Sequence, residues 1–145
     1  MPIKYPPSPG TLLLCNYDTG FRPPEMVKRR PALVISPRLP YRDGLCTVVP
    51  LSTTAPNKML AYHCRLELNP PLPPPWTTTT VWAKADMVAT VSLSRLDLFR
   101  TGRDQQGRRK YLQLKLTANQ LHQVRAAVLH GLGMGALTKG LAGLT

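Results

Sequence analysis

The sequence predicts a mainly β protein: a small, mostly antiparallel barrel with one C-terminal helix packed on it. Three observations predict this class. Short apolar runs of strand length recur between turn signals along most of the 145 residues. An amphipathic segment with helix-capping residues follows them. No strand–helix–strand unit of about 30 residues is present, which excludes a dinucleotide-binding fold.

Proline and glycine bound the predicted strands. The first is "TLLLCNYD" (residues 11–18), and the second is "PALVIS" (31–36), whose proline stands at the first position, where no ladder donor is required. Asp43-Gly44 is the hairpin signal before "LCTVVPLS" (45–52), and Pro50 is expected to mark the exit of that strand. The remaining strand-like runs are "AYHCRLEL", "TTTTVWAKADMVATV", which can form two short pieces, and "YLQLKL". Five to seven short strands are therefore expected.

Two helical segments are predicted near the C-terminus. "SLSRLDLF" suits a turn with a short helical piece, capped by Ser92 or Ser94. The longer helix begins at a capping box formed by Thr117 and Gln120, and Gly131 is a suitable stop. Its apolar stripe at helical spacing consists of Leu121, Val124 and Val128.

Composition divides the chain into three parts. Residues 1–9 hold four prolines and are expected to form an extended, poorly ordered arm. Residues 10–132 are expected to form one domain with one core. Residues 133–145 are rich in glycine and small side chains, which predicts a mobile tail.

The charge of the chain points to a polyanionic partner. Nineteen Lys and Arg residues stand against seven Asp and Glu residues, so the formal net charge is +12. Such an excess favours nucleic acid over an anionic membrane surface. The three cysteines, Cys15, Cys46 and Cys64, lie in strand-like runs without zinc or redox spacing, so buried free thiols are expected. Without a signal-peptide pattern or an apolar run of membrane-spanning length, the expected location is the reducing cytoplasm.

The familiar catalytic motifs are absent from the sequence. His63, His122 and His130 are the only histidines, and no serine elbow or phosphate-binding glycine loop is present. No carboxylate cluster suits magnesium, so no metal or cofactor is expected. RNA cleavage can proceed without these groups. The ribose 2′-hydroxyl is the nucleophile, an arginine can bind the phosphate through two hydrogen bonds, and a hydroxyl can add a third donor.

Four stretches in order resemble the MazF/PemK family of type II toxin–antitoxin systems. They are "PGTLLLCNYD", "KRRPALVIS" preceded by Glu25, "GLCTVVPLSTT" and "KADMVATVSLSRL", followed by the amphipathic helix. The resemblance covers roughly residues 9–132. Its most specific feature is the pair formed by the charged "RP" strand and the strand that ends in "PLS".

The resemblance implies a fold, an activity and partners. Family members are homodimers with a small SH3-like barrel, and they cleave single-stranded RNA without a metal. Their products carry a 2′,3′-cyclic phosphate and a 5′-hydroxyl, and an antitoxin inhibits them by covering the RNA groove.

The resemblance also implies the site. Its catalytic arginine corresponds to Arg30 and its catalytic hydroxyl to Ser52. Many relatives carry threonine at that place, and Thr53 follows here, so either hydroxyl can be the one that acts.

Several further residues are candidates for RNA binding or support. Lys28 and Arg29 would meet phosphates electrostatically. Glu25 matches an acidic position of the family's first long loop, where it would orient Arg30 or simply be exposed. Lys84 and Asp86 match a strand that faces the groove in relatives.

Three aromatic side chains are further candidates for contact with RNA. Trp76, Trp82 and Tyr62 are candidates for base stacking, although Trp82 stands between Val81 and Ala83 and is expected to be buried.

A gyrase-binding (CcdB-like) toxin is one alternative function, and the end of the last helix lacks the large aromatic residue expected for it. The other alternative is a basic barrel that binds nucleic acid without cutting it.

Overall fold

Ten strands precede the main helix. The computed structural model describes the backbone of residues 3–141 and the side chains of residues 3–139. The strands are β1 (Thr11–Asn16), β2 (Arg29–Val34), β3 (Leu45–Ser52), β4 (His63–Glu67), β5 (Thr80–Lys84), β6 (Ala89–Ser92), β7 (Leu96–Asp97), β8 (Phe99–Arg103), β9 (Arg109–Leu112) and β10 (Leu114–Lys115). The helices are α1 (Ala118–Gly131) and the short α2 (Thr138–Leu141), with 3-10 turns at Ala85–Met87, Leu93–Arg95 and Gly135–Leu137. The expectation of five to seven strands is wrong, because it missed the two-residue strands β7 and β10 and also β8, most of whose residues were assigned to a polar hairpin loop.

Every strand pairing is antiparallel. The main sheet follows the order β10-β1-β2-β3-β5-β4, with β6 also paired to β3 and β7 to β1. Strands β8 and β9 form a hairpin of their own. The sheets do not close into a complete barrel. The mainly antiparallel β class with a C-terminal helix packed on it is confirmed.

Strand β3 changes its partner on one side halfway along its length. Its first half pairs with β6 as far as Val48, and its end pairs with β5 from Leu51. Pro50 lies between these two ladders, where its missing N–H leaves no hydrogen bond unmade on that side. The strand therefore continues past Pro50 to Ser52, and the prediction that Pro50 ends it is wrong.

Two apolar clusters fill the two sides of the sheet. The first core cluster combines alternate residues of β2, β3, β4 and β5 with one face of α1; it includes Leu33, Leu51, Leu66, Val81, Ala83, Val124, Ala127 and Val128. The second core cluster lies on the other side of β1 and β2, against β6 and β7; it includes Leu13, Cys15, Tyr17, Ala32, Val34, Cys46, Val48, Val91 and Leu96. Successive side chains of a strand point to opposite faces, so β2 contributes to both clusters. The three cysteines are buried and free, as expected.

Helix α1 begins and ends as the sequence predicts. The Thr117 hydroxyl accepts from the Gln120 backbone N–H (3.1 Å), and the Gln120 side chain accepts from the Thr117 N–H (3.0 Å). The helix ends at Gly131, where a Cβ would lie 3.1 Å from the Asp86 Cα. Glycine thus allows the helix end to approach the 3-10 turn after β5.

The start of the described chain contacts the sheet, and its end forms short helical segments. The Ile3 N–H donates to the Leu96 carbonyl (3.0 Å), and Ile3 packs on the second core cluster. The segment after α1 contains a 3-10 turn and α2. Residues 1–2 and 142–145 of the predicted arm and tail lie outside the described residues, and the division into arm, domain and tail stays a prediction.

Candidate active site

The start of β2 fixes the position of two adjacent arginines. Lys28 has a left-handed φ of 74° and its carbonyl accepts the Tyr17 N–H (2.9 Å), so the chain turns sharply just before the strand. Arg29, Arg30 and Pro31 then pair with successive residues of β1, Pro31 opposite Leu14. Proline also restricts the preceding residue to extended backbone. The backbone that carries Arg30 is therefore part of the sheet and not of the flexible loop.

Strand register sets Arg30 near the start of β2 and Ser52 at the adjoining end of β3. The last assigned pair between β2 and β3 is Ala32 opposite Pro50. Two residues further along this register, Arg30 would stand opposite Ser52. Directly opposed residues of antiparallel strands share a face, and Leu33 and Leu51 occupy the other face, in the first core cluster. Arg30 and Ser52 thus lie on the side of the sheet that faces away from α1.

The Arg30 side chain is half-buried and anchored at one point. Its Nε donates to the Val27 carbonyl at 2.9 Å. Within residues 3–139 its two terminal nitrogens make no hydrogen bond or ion pair. These two groups are the ones a guanidinium uses to bind two oxygens of one phosphate.

The Ser52 hydroxyl is buried, with 7% of the residue exposed. It lies 3.1 Å from the Thr54 N–H, from which it accepts, and 3.0 Å from the Thr54 carbonyl, to which it donates. Thr53 follows the strand and is exposed. Ser52 therefore holds the first turn of the following loop, whereas Thr53 presents its hydroxyl to solvent.

Three candidates in the loop and at the strand start have distinct surroundings. The Glu25 carboxylate accepts the Arg22 N–H (2.7 Å), so in this structure it stabilises its own turn. Lys28 is exposed. Arg29 alternates with Arg30 and lies on the opposite face of β2, where its guanidinium is 3.9 Å from the Asp97 carboxylate.

Lys84 and Asp86 occupy different places although only one residue separates them. Lys84 ends β5 opposite His63 and is half-buried. It has the same strand parity as Trp82, which stands opposite Ser52, so Lys84 lies on the Ser52 face. Asp86 lies beyond the strand, in the turn approached by Gly131. The structure therefore groups Lys84 with Arg30 and Ser52 and sets Asp86 against the end of α1.

Two side chains on this face were misjudged or missed from sequence. Trp82 is half-buried and not fully buried, because Val81 and Ala83 point to the opposite face of β5. Arg65 stands opposite Trp82 on β4, with 61% of its side chain exposed. Alternation in "HCRLE" marks Arg65 as outward-facing, but the sequence gives no sign of which strand lies beside it.

The titratable groups outside this face do not resemble a second reactive centre. Burial raises the pKa of Cys15 to about 11 and also raises the pKa of Cys46 and of Cys64. Thiols with raised pKa are poor nucleophiles at neutral pH. No three His, Cys, Asp or Glu side chains gather into a possible metal site anywhere in the part of the chain that the structure describes. Nor does any helix in that part have the length and apolar character needed to cross a bilayer.

Comparison with known proteins shows the family of the chain. Residues 8–130 match the family described as PemK-like, MazF-like toxins of type II toxin–antitoxin systems. The chain belongs to this family. The protein YifN of Escherichia coli (strain K12), described as uncharacterized, is 33% identical over 121 residues, which cover 71% of this chain and 80% of YifN.

Two solved structures of MazF proteins share the fold. MazF (Form-I) from Deinococcus radiodurans is 26% identical, with a TM-score of 0.58 over 90% of this chain and 99% of that one. The Mycobacterium tuberculosis toxin MazF-mt6 is 17% identical, with a TM-score of 0.54 over 86% of this chain and 97% of that one. As a PemK/MazF-like toxin, the chain belongs to systems in which an antitoxin is the partner.

Proposed function

We propose that the chain is a metal-independent, sequence-selective endoribonuclease that cleaves single-stranded RNA. Arg30 is the phosphate-binding catalytic residue and Ser52 the catalytic hydroxyl. The observation that supports the proposal is the β2–β3 register, which ends at Ala32 opposite Pro50 and, continued by two residues, would set Arg30 opposite Ser52 on one face of the sheet. The anchored Arg30 guanidinium with two unused nitrogens supports the same role.

The proposed reaction is an internal phosphoryl transfer. The ribose 2′-hydroxyl loses its proton as its oxygen attacks the adjacent phosphorus, the bond from phosphorus to the 5′-oxygen breaks, and the leaving oxygen takes up a proton, so that the number of protons is unchanged. The products are a 2′,3′-cyclic phosphate and a 5′-hydroxyl. Charge develops on the non-bridging oxygens, where a fixed guanidinium and a hydroxyl donor stabilise the transition state more than the ground state. DNA lacks the nucleophile and would stay intact.

Rigid support explains why these residues can act without an ion. Arg30 is held by a strand paired with β1, and Ser52 ends a strand paired with β5. A phosphate between them would meet donors whose backbone positions are already set, which lowers the entropy lost on reaching the in-line geometry.

The deciding experiment compares wild type with Arg30→Ala on a mixed-sequence RNA in EDTA. We expect wild type to produce fragments with cyclic phosphate ends, and Arg30→Ala to bind the RNA while losing at least about 100-fold in kcat. Arg38→Ala is the matched control, because Arg38 lies past the opposite end of β2 in an exposed ion pair with Asp43. Undiminished cleavage by Arg30→Ala would end the assignment.

The partners and location are part of the proposal. We expect a homodimer that meets its RNA and its antitoxin in the cytoplasm, and the net charge of +12 supports a polyanionic substrate. Intact RNA with salt-sensitive binding would favour the non-cutting nucleic-acid barrel. Capture of a gyrase subunit together with absent RNase activity would favour the gyrase-binding alternative.

A further inference from the structure

A row of three paired side chains, Ser52, Trp82 and Arg65, crosses three strands at the candidate site, and Arg30 lies at its near end. Ser52 stands opposite Trp82 across β3 and β5, and Trp82 stands opposite Arg65 across β5 and β4. With Arg30 at the near end by continuation of the β2–β3 register, the row reads Arg30, Ser52, Trp82, Arg65 across four neighbouring strands. Opposed side chains of antiparallel strands are about 5 Å apart at Cβ, so Trp82 lies next to the candidate hydroxyl.

The outer members of the row, Trp82 and Arg65, face away from the first core cluster, and the neighbouring row of residues shows this. Leu51, Ala83 and Cys64 form the adjacent cross-strand row, and all three are buried in the first core cluster. The second core cluster covers the outward side only along β1, β2 and the first half of β3. Beyond Ser52 that side is open: Trp82 is half-buried and Arg65 is mostly exposed.

Both outer members have the chemistry of a nucleotide-binding surface. An indole face can stack on any base, and basic groups beside it can bind the backbone. Arg65 is oriented by the Glu67 carboxylate (2.9 Å), which in turn accepts the Thr80 hydroxyl (2.8 Å). Glu67 offsets part of the Arg65 charge, whereas Lys84 adds a positive charge on the same face.

We propose that Trp82 and Arg65 form a subsite for the nucleotide that flanks the scissile phosphate, with the base stacked on Trp82 and its phosphate bound by Arg65. This inference rests on the proposed function, because it places the RNA across Arg30 and Ser52. It assigns single-stranded RNA as the ligand of the open end of this face. A protein segment as its ligand is the competing outcome of the test.

The first test combines Trp82 variants with RNA that lacks one base. Trp82→Ala is expected to raise KM about 10-fold and to leave kcat almost unchanged. Trp82→Phe is expected to bring KM most of the way back to the wild-type value. An abasic nucleotide beside the cut site should impose a similar loss on wild type and little further loss on Trp82→Ala. Tyr41→Ala is the matched control, because Tyr41 is a fully exposed aromatic residue on the β2–β3 loop. If the effects of Trp82→Ala and of the abasic nucleotide multiply, or if Trp82→Ala leaves KM unchanged, the proposed subsite is wrong.

A second measurement separates this inference from the proposed reaction. In the Arg30→Ala background, binding of a short single-stranded RNA is measured by fluorescence anisotropy, with and without Trp82→Ala and Arg65→Gln. We expect each added substitution to weaken binding about 5- to 10-fold. If wild type does not cleave RNA but these losses appear, the proposed reaction fails and the subsite stands. If wild type cleaves RNA and neither substitution affects RNA binding, the subsite is wrong and the proposed reaction stands. Binding of an acidic protein segment that depends on Trp82 would then assign the open face to a protein ligand.

Discussion

The Ser52 hydroxyl has one structural role and is proposed for a second, catalytic one. It holds the Thr54 backbone at the loop start, and it is the donor proposed for the phosphate. A phosphate oxygen at this edge would replace the Thr54 carbonyl as the acceptor of the same proton. If Ser52 acts as proposed, RNA binding would therefore change the hydrogen bond that holds the loop beginning at Thr53.

A pair of substitutions separates the two candidate hydroxyls. Ser52→Ala is expected to lower kcat about 10²- to 10³-fold, since one donor to the transition state is lost. Thr53→Ala is expected to change kcat less than about threefold, and Ser52→Thr to keep activity because the hydroxyl remains. Thermal unfolding serves as the control, because loss of the Thr54 hydrogen bonds alone costs about 1 kcal/mol of stability. The reverse order of effects would assign the role to Thr53.

Cys15 gives a prediction about alkaline pH. Burial raises its pKa from 9.0 to about 11, so the folded state keeps the thiol proton where the unfolded chain loses it. Unfolding free energy should be unaffected by this group below about pH 9 and should fall as pH rises from 9 toward 11. Urea unfolding from pH 8 to 10.5 measures the slope, and Cys15→Ala should make it shallower. An equal slope in both proteins would contradict the assignment.

At this scale, sequence reasoning found the residues better than their surroundings. Arg30 and Ser52 are candidates because of the family resemblance and the strand ends, and their catalytic roles stay a prediction. Trp82 was expected to be buried because its neighbours are apolar, yet a strand turns those neighbours to the other face. Arg65 was missed, because its place beside Trp82 depends on a pairing between strands that no local pattern records.

The main helix is the element that the sequence predicts most completely. The spacing of Thr117 and Gln120 predicts the capping box, and both of its hydrogen bonds are present. The Gln120 amide also donates to the Glu67 carbonyl (2.8 Å), which ties the helix start to the end of β4. Local chemistry is sufficient here because a cap involves residues only three positions apart.

Thr117→Ala tests the contribution of that cap. We expect a loss of about 1 kcal/mol in unfolding free energy, which corresponds to a fall of about 3 °C in Tm for a domain of this size. RNA cleavage per folded molecule should be unchanged. Thr101→Ala, at an exposed position of β8, is the comparison variant. Equal melting temperatures for the two variants would show that the box does not stabilise the helix in this protein.

Two errors in the predicted strand boundaries have the same cause. In both, a segment changes the strand with which it pairs. Pro50 lies where β3 passes from β6 to β5, so the proline that suggests an end marks a change of neighbour. "YLQLKL" likewise divides at Gln113, since β9 pairs with β8 whereas β10 pairs with β1. Alternation reports which residues face inward, but it does not report which strand supplies the hydrogen bonds.

The β8–β9 hairpin carries five of the 19 Lys and Arg residues of the chain. The β8–β9 hairpin and its turn carry Arg100, Arg103, Arg108, Arg109 and Lys110, all exposed. Arg103 stands directly opposite Arg109, and like charges so placed are destabilising. The nearby Asp104 carboxylate accepts the Gln106 and Arg108 N–H groups, so it serves the turn. A polyanion along the hairpin would relieve this repulsion.

Salt dependence tests that expectation. Replacing Arg108, Arg109 and Lys110 together by glutamine should weaken RNA binding similarly for all sequences. Each lost phosphate contact should reduce the slope of log affinity against log salt by about 0.7. Titrations between 50 and 300 mM salt with the Arg30→Ala protein give the slope without cleavage. An unchanged slope would show that the hairpin lies away from the RNA.

For the whole molecule, the family resemblance predicted the fold class. It did not predict how the strands pair, which depends on packing. The antiparallel sheet with a helix on one side is as expected. The incomplete closure follows from pairings between distant strands, which depend on how two apolar clusters divide the sheet. No composition or periodicity specifies that division.

The alternation of β2 has a consequence for how the chain tolerates change at Arg29 and Arg30. The two residues are chemically identical and adjacent, yet the backbone sends one toward Asp97 and the other toward the Ser52 edge. Variants that lack either guanidinium have equal net charge and equal composition. If only Arg30 acts on RNA, the difference between the two variants would come from the face of β2 on which each guanidinium lies, which is set by where the strand begins and by the proline that follows.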